Sequence, residues 1–305
     1  MMQAGAPAHD PIPIGEIAKP PFVRLPDPLA IFAHRAGRLK LLASGHQLGS
    51  YLLFLSNLCE AQHRIQDGLP EAELPPPYTM GRAREFRMPP LDRMRFAPDK
   101  AMDATCERLL SMATRIAMPD SARFALDRVS AADPVDKATM FKAVLSNAIP
   151  VEELAEHTFA AAVLQVHFAR IAAQLDAKQL VPVGEGACPT CGGAPVSSLV
   201  VGWPNAQDTR FCACSLCGTL WNRPRVKCVL CGANKGIAYQ EIAGGPAMVK
   251  AETCESCGSY LKIMHQRIDA AIDPVADDVA TLALDLMVRE SGYRRGGVNP
   301  FLLGY

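Results

Sequence analysis

Eight of the eleven cysteines in this sequence stand in paired units that could bind metal. Each unit has the form Cys-x-x-Cys-Gly, and the four are Cys188/Cys191, Cys214/Cys217, Cys228/Cys231 and Cys254/Cys257. Two residues between thiolates let one turn direct both sulfurs at the same ion, and the following glycine accepts the positive φ that closes the turn. Two such turns supply the four sulfurs of a closed tetrahedral metal site.

The four units are arranged as a tandem repeat. The step from Cys188 to Cys228 is 40 residues, and the step from Cys214 to Cys254 is the same 40 residues. A duplicated metal-binding module explains this register. It predicts one site from the cysteines of 188–217 and a second from those of 228–257. A cross-braced arrangement, which joins the first unit with the third and the second with the fourth, is the alternative.

The donor set predicts two metal ions, each in a four-cysteine site. Tetrahedral thiolate binds iron and zinc alike, so the sequence leaves the choice between Fe and Zn open. A closed site offers no position to a substrate, which favours a structural role, and iron would in addition make the site redox-active. Cys212 is predicted to be a strand residue, and a spare thiol that exchanges onto the metal is the alternative. Cys59 and Cys106 are predicted to be buried helix residues without a ligand role.

The remaining sequence favours a binding or scaffold protein over an enzyme. We find no phosphate-binding loop, nucleophile elbow or zinc-protease motif, and the seven histidines are scattered. The 31 basic and 31 acidic residues give a formal net charge of zero, which argues against a general polyanion binder. Because neither a secretory signal nor an apolar span of about 20 residues is visible, we expect a cytoplasmic protein with reduced thiols and no membrane span.

A nucleic-acid-binding tandem zinc-ribbon protein is the alternative hypothesis. Its best candidate for a partner-binding strip comprises Trp221, Arg223, Arg225 and Lys227. An edge strand with outward basic residues explains the same pattern. Residues 188–267 contain eight basic and four acidic residues, and this excess can compensate the charge of the thiolates. Nucleic acid is therefore the less favoured partner.

The other elements of the chain must position the cysteine region. Residues 1–26, rich in Pro, Ala and Gly, are expected to form a loosely ordered arm. Apolar residues at three- and four-residue spacing predict a helical domain of five to seven helices over 27–180. Short runs rich in Val and Ile lie between the cysteine units and predict strands in a first metal module, 181–227, and a second, 228–305.

Periodicity and capping residues predict the individual helices. The first begins at Pro28 with Asp27 as its N-cap, and others are predicted over 47–65, 99–116, 120–129, 134–147 and 151–175. A last helix is predicted over 274–290, followed by a tail that packs back on the protein or, alternatively, forms a contact surface. The expected apolar face of this last helix consists of Val279, Leu282, Ala283, Leu286 and Met287.

A proline-rich stretch separates two of these helices. Residues 70–99 are predicted to be an irregular surface connection. Five arginines lie within it: Arg82, Arg84, Arg87, Arg93 and Arg95. They belong either to a solvated loop or to a docking surface for an acidic or extended partner segment.

The last part of the chain, about 120 residues, resembles the FdhE family of formate dehydrogenase accessory proteins. The motifs that carry the resemblance are CPTCG at 188, CSLCGTLWNRPRVKC at 214–228, KAETCESCGSYLKI at 250–263, PVADD at 274 and NPFL at 299. The resemblance implies an α+β protein: an N-terminal all-helical domain, two tandem rubredoxin-like four-cysteine modules and a C-terminal helix. It also implies a non-enzymatic protein that binds the catalytic subunit of formate dehydrogenase during maturation. The sequence leaves a homodimer open.

Overall fold

A computed structural model describes residues 20–302 of the chain. In this part the polypeptide forms a helical region, then a sheet that carries the cysteines, then two short helices. The predicted α+β architecture is confirmed. Most of the predicted arm, 1–26, lies outside the described residues, and its last part contributes the two-residue strand β1 (Val23–Arg24), which the sequence analysis does not foresee.

Within residues 20–302, seven α-helices make up the helical region: α1 (Pro28–Leu42), α2 (Gly49–Arg64), α3 (Pro77–Glu85), α4 (Lys100–Ala113), α5 (Asp120–Ala131), α6 (Pro134–Ser146) and α7 (Leu154–Ala173). Asp27, Asp99 and Asp133 cap α1, α4 and α6 through backbone N–H groups of the first turn. Helix α7 is buried along most of its length and packs against five of the other helices. Among the described helices, none combines the length and the apolar character needed to cross a bilayer.

The prediction of an irregular connection over 70–99 is wrong for α3 and for a turn of 3-10 helix at Arg93–Arg95. Helix α3 begins at the last of three consecutive prolines, Pro77. Proline suits the first helical position because no N–H is needed there and its φ is already helical. The prolines before α3 and Gly81 within it conceal its short helical pattern.

The sheet contains eight strands within the described residues: β1, then β2 (Ser197–Val200), β3 (Arg210–Ala213), β4 (Leu220–Asn222), β5 (Ile237–Gln240), β6 (Val249–Cys254), β7 (Ser259–His265) and β8 (Arg294–Arg295). Their order is β1-β4-β3-β2-β7-β6-β5, and β8 pairs with one end of β7. The pairs β2–β7 and β7–β8 are parallel, and the other pairs are antiparallel. Strand β3 contains Cys212, as predicted.

The tandem repeat is visible in the sheet. Strands β2, β3 and β4 form one three-stranded unit, and β5, β6 and β7 form the second. Strand β2 pairs in parallel with β7, with Ser198 opposite Ile263, so the two units share one continuous sheet. At the outer edge of β4, β1 adds a strand from the start of the helical region, with Val23 opposite Trp221.

The single predicted C-terminal helix is in fact two: α8 (Ala276–Ala280) and α9 (Leu282–Glu290), which meet at Thr281. The ammonium of Lys262 donates to the carbonyl oxygens of Asp278 and Thr281, at 2.8 and 3.0 Å, and so provides partners for carbonyls at the break. The helix restarts in a new phase. The predicted apolar face is therefore wrong in part: Leu284 and Val288 are buried, whereas Ala283 and Leu286 are exposed.

Candidate metal centres

The structure brings the eight sulfurs together in two groups of four. One group contains the cysteines of 188–217 and the other those of 228–257, and within each group all sulfurs lie within 4.8 Å of one another. This is the sequential grouping and not the cross-braced one. In the first group Cys188 and Cys217 are 3.7 Å apart, and Cys191 and Cys214 are 3.4 Å apart. The corresponding distances in the second group are 4.0 Å for Cys228 and Cys257 and 3.8 Å for Cys231 and Cys254.

These distances fit a tetrahedral metal ion. Four sulfurs at about 2.3 Å from a central ion lie about 3.8 Å from one another. The four sulfur–sulfur distances given above, 3.4–4.0 Å, lie on either side of that value. A site of this kind accepts zinc or iron and leaves no open coordination position.

The two groups use the same local backbone. The N–H of Gly192 donates to the carbonyl of Cys188 at 2.9 Å, and the N–H of Gly232 donates to the carbonyl of Cys228 at the same 2.9 Å. Both glycines have φ of +78°. Because positive φ is strained for residues with a Cβ, the sequence pattern Cys-x-x-Cys-Gly directly specifies these turns.

The groups differ in their exposure to solvent. In the first, all four cysteines are buried. In the second, Cys228 and Cys254 are buried, Cys257 is half-buried and Cys231 is exposed. One sulfur-bearing residue of the second group is therefore open to solvent and to other molecules, whereas the first group is enclosed.

The helical region encloses the first group. The N–H of Leu91 donates to the carbonyl of Thr190 at 2.9 Å, and the N–H of Arg93 donates to that of Cys191 at 3.2 Å. On the other side of the site, the side-chain amide of Gln165 on α7 donates to the carbonyl of Ser215 at 2.9 Å. The first site is thus part of the interface between the helices and the sheet.

Burial disfavours the thiolate form at two of these cysteines. It raises the pKa of Cys188 well above its ordinary value and the pKa of Cys228 to about 12. An isolated thiolate at either position would be costly, because each lies in a poorly solvated environment. A divalent ion bound to the four sulfurs supplies the positive charge that stabilises the thiolates.

The basic residues of 188–267 are paired mainly with carboxylates, not with the cysteine groups. Five of the eight form such pairs: Arg210 with Glu252, Arg223 with Glu185, Lys250 with Glu241, Lys262 with Asp278 and Asp285, and Arg267 with Asp208. These five basic side chains therefore neutralise carboxylates. The expectation that the basic excess compensates the thiolates does not hold for them.

The predicted partner-binding strip is not one surface. Trp221 is 2% exposed and lies in the hydrophobic core beside β1. Arg223 is partly buried and forms an ion pair with Glu185. Arg225 and Lys227 are exposed. Only Trp221 of the four belongs to β4, and the three basic residues follow the end of the strand.

A buried charge network is the feature that sequence reasoning missed. Arg35 and Arg38 of α1 pair with Asp273 and Asp277 at the start of α8, at distances of 3.1 and 2.6 Å. Neither arginine is among the residues singled out from the sequence. A signal was nevertheless present, because Arg35 and Arg38 lie within the inward-facing pattern that contains Phe32, Ala36 and Leu39.

A second part of the network lies around β7. Lys262 and Arg295 both pair with Asp278 and Asp285. Burial alone would disfavour the charged form of Asp278, but Arg295 and Lys262 outweigh it and lower the pKa of this carboxyl. The side-chain amide of Asn299 also donates to Asp278, at 2.8 Å. The C-terminal tail is thereby fixed to α8, in agreement with the prediction that it packs back on the protein.

Comparison with known proteins gives matches along the described chain. Family models described as "FdhE, N-terminal", "FdhE, central domain" and "FdhE, C-terminal domain" match residues 20–185, 187–225 and 226–302. The chain is 41% identical over 298 residues to a "Protein FdhE homolog" of Rhizobium meliloti, covering 97% of each sequence. It is 33% identical to the homolog of Proteus mirabilis over 286 residues, covering 92% of this chain and 91% of that one.

A solved structure is also similar. It is described as the crystal structure of the FdhE protein from Pseudomonas aeruginosa. The TM-score is 0.81 at 32% sequence identity, and the match covers 93% of this chain and 99% of that chain. The similarity therefore includes both the helical region and the sheet.

Proposed function

The chain belongs to the FdhE family, and we propose that it is a non-enzymatic accessory protein for the assembly or activation of formate dehydrogenase. In this proposal it binds the catalytic subunit of that enzyme in the cytoplasm. The family assignment, which extends over helices and sheet together, is the observation that carries the proposal. The enclosed first cysteine group supports it, because a four-thiolate site is suited to holding a surface in shape rather than to converting a substrate.

The metal would act on the scaffold through the first site. We propose Cys188, Cys191, Cys214 and Cys217 as its ligands, and Cys228, Cys231, Cys254 and Cys257 as those of the second site. Since the backbone of Leu91 and Arg93 is hydrogen-bonded to the first Cys-x-x-Cys turn, an ion there would also fix this part of the helical domain, 27–180. The two modules, 181–227 and 228–305, would move as one body because they share a sheet.

The metal is zinc or iron. Zinc would supply a structural centre, and iron would supply one-electron redox chemistry as well. Metal analysis after anaerobic purification, followed by a redox titration, distinguishes these cases. Two equivalents of zinc per chain would reject the electron-transfer version and leave the accessory role intact.

We do not propose a nucleic-acid-binding function. That hypothesis requires an exposed stripe of basic and aromatic side chains. Trp221 is buried and Arg223 is paired with Glu185, so two of the four residues of the strip are not available. No specific observation in the described structure favours this function over the accessory role.

Deletion of the gene tests the accessory role directly. We expect formate dehydrogenase activity to be lost while its catalytic subunit is still synthesised, and we expect the wild-type gene to restore the activity. The catalytic subunit should also co-purify with the tagged wild-type chain. Unchanged formate dehydrogenase activity in the deletion strain would contradict the proposal.

A further inference from the structure

Helix α3 has a group of large side chains that are exposed to solvent. Tyr78, Arg82 and Phe86 follow one another at four-residue steps and therefore lie on one face of the helix and its C-cap. Tyr78 is 72% exposed and Phe86 is 59% exposed. The guanidinium carbon of Arg82 lies 5.8 Å from the centre of the Phe86 ring, so the charge and the aromatic ring are adjacent. We call Tyr78, Arg82, Phe86, Arg87 and Met88 the α3 surface.

This exposure is not needed for the packing of α3. Of the nine described residues of the helix, Ala83 alone is buried, so most of the helix surface is left open. Met88, just beyond the helix, is also exposed. Grouped exposed apolar side chains are uncommon on monomers and mark contact sites, and Tyr, Phe, Met and Arg are enriched at the centres of protein interfaces.

The charges of the surface indicate what it would bind. In the described part of the chain, none of Arg82, Arg84 and Arg87 forms an ion pair with a carboxylate. Arginines elsewhere on the surface do so, for example Arg64 with Glu60. Glu85 is the one carboxylate between 74 and 91. A partner segment with acidic and apolar side chains would complement both the positive charge and the apolar character of this surface.

The α3 surface is also mechanically connected to the first cysteine group. Only a few residues separate Met88 from Leu91 and Arg93, whose N–H groups donate to Thr190 and Cys191. Between them, Pro89 lies against Gly192, so that a Cβ built on this glycine would be 3.1 Å from Pro89 Cγ. The segment that ends the α3 surface is thus held by the first Cys-x-x-Cys turn.

From these observations we propose that the α3 surface is the docking site for an acidic segment with exposed apolar side chains on the catalytic subunit of formate dehydrogenase. The proposal rests on the accessory function proposed above. The arginines attract and orient the carboxylates of the segment, and Tyr78, Phe86 and Met88 bury its apolar side chains. The first metal site keeps the surface in its binding conformation.

Affinity of the full-length, metal-loaded chain for the immobilised catalytic subunit tests the proposal. One double variant, Arg82→Glu with Arg87→Glu, reverses the charge, and another, Tyr78→Ser with Phe86→Ser, removes the aromatic rings. We expect each to weaken binding by about tenfold or more. Wild-type binding should weaken as salt is raised, and the charge-reversed variant should lose most of this salt dependence.

Matched controls are available on other helices. Phe124→Ser removes a ring that is 65% exposed on α5, and Arg289→Glu reverses an exposed charge on α9. Both should bind within about twofold of wild type, since surface changes away from an interface have small effects. Every variant should keep its metal content and melting temperature.

The outcomes separate the two proposals. If the wild-type chain and both controls bind while the α3 variants bind equally well, the docking site is wrong and the accessory function stands. If the wild-type chain itself does not bind the catalytic subunit, both proposals are overturned. Loss of binding in only the α3 variants supports the docking site.

Discussion

Arg38 of α1 and Asp277 of α8, 239 residues apart in sequence, form a two-pronged ion pair inside the protein. The Nη2 of Arg38 donates to Oδ1 of Asp277 at 2.6 Å, and its Nε donates to Oδ2 at 2.9 Å. The two side chains are only 5% and 3% exposed. Because α1 belongs to the helical region and α8 follows the sheet, this pair connects the two ends of the described chain.

Removal of one partner of this pair should be strongly destabilising. In Arg38→Met, the carboxylate of Asp277 loses its guanidinium partner while it remains buried. We expect the free energy of unfolding to fall by about 3–5 kcal/mol, measured by denaturant titration with both metal sites loaded.

The exposed pair of Arg64 and Glu60, 2.7 Å apart on α2, provides the control. Here Arg64→Met removes an arginine of the same type from a solvated ion pair. The free energy of unfolding should change by less than about 1 kcal/mol. A similar fall in the free energy of unfolding in the two variants would show that the buried pair contributes no more to stability than the exposed pair.

Features written in local sequence could be predicted, whereas contacts between residues far apart in sequence could not. The grouping of the cysteines could be predicted, because the 40-residue register and the Cys-x-x-Cys-Gly turns are written in local sequence. The pair of Arg38 and Asp277 could not, because the inward position of Arg38 on α1 indicates burial without identifying a partner. Asp277 looks like an acidic residue placed for the helix dipole.

Two further differences, one in the helices and one in the sheet, have the same origin. The break between α8 and α9 depends on Lys262, a strand residue that donates to the carbonyls of Asp278 and Thr281. Periodicity along 274–290 contains no information about this donor. Similarly, the joining of the two repeats by β2 and β7 arises from strands that are far apart in sequence, and the repeat predicts each unit without predicting their pairing.

The different exposure of the two cysteine groups predicts stepwise release of metal. A chelator can approach the exposed Cys231, whereas all four cysteines of the first group are buried. We therefore expect two kinetic phases of equal amplitude when the loaded protein is mixed with a coloured chelator, the faster from the second site. Metal analysis at the end of the fast phase should find one ion per chain.

The variant Cys231→Ser identifies the phases. It removes a ligand from the second site and leaves the first unchanged, so it should lack the fast phase and retain the slow one. The matched variant in the first repeat, Cys191→Ser, should lose the slow phase. Loss of the slow phase in Cys231→Ser would contradict this assignment.

Gly218 and Gly258 occupy equivalent positions in the two repeats. We expect alanine substitutions at these two positions to differ in their effect on stability. Their φ values are +71° and +61°, so alanine at either position carries the left-handed strain of about 1–2 kcal/mol. A Cβ at Gly218 would also lie 2.9 Å from Ile31 Cδ1 and 3.1 Å from Pro26 Cβ, whereas at Gly258 it would have nothing within 4 Å.

We expect Gly218→Ala to lower the free energy of unfolding by about 1–3 kcal/mol more than Gly258→Ala, because overpacking is added to the backbone strain. Denaturant titration of the two loaded variants gives this difference directly. Equal losses would mean that the first repeat and the start of the helical region are not in the contact that the structure shows.

We expect the thiol of Cys59 to be unreactive in the native protein. Burial raises its pKa to about 12, so at pH 8 only about one molecule in 10⁴ carries the reactive thiolate. Iodoacetamide should leave Cys59 unmodified in the folded, metal-loaded protein, and the same holds for Cys106, whose pKa burial also raises. In denaturant the pKa of both thiols falls to the ordinary value of about 8.5. Both should then react with iodoacetamide about as fast as glutathione does. Peptide mapping by mass spectrometry measures both rates, and native labelling of Cys59 as fast as that of glutathione would show that α2 does not bury this residue.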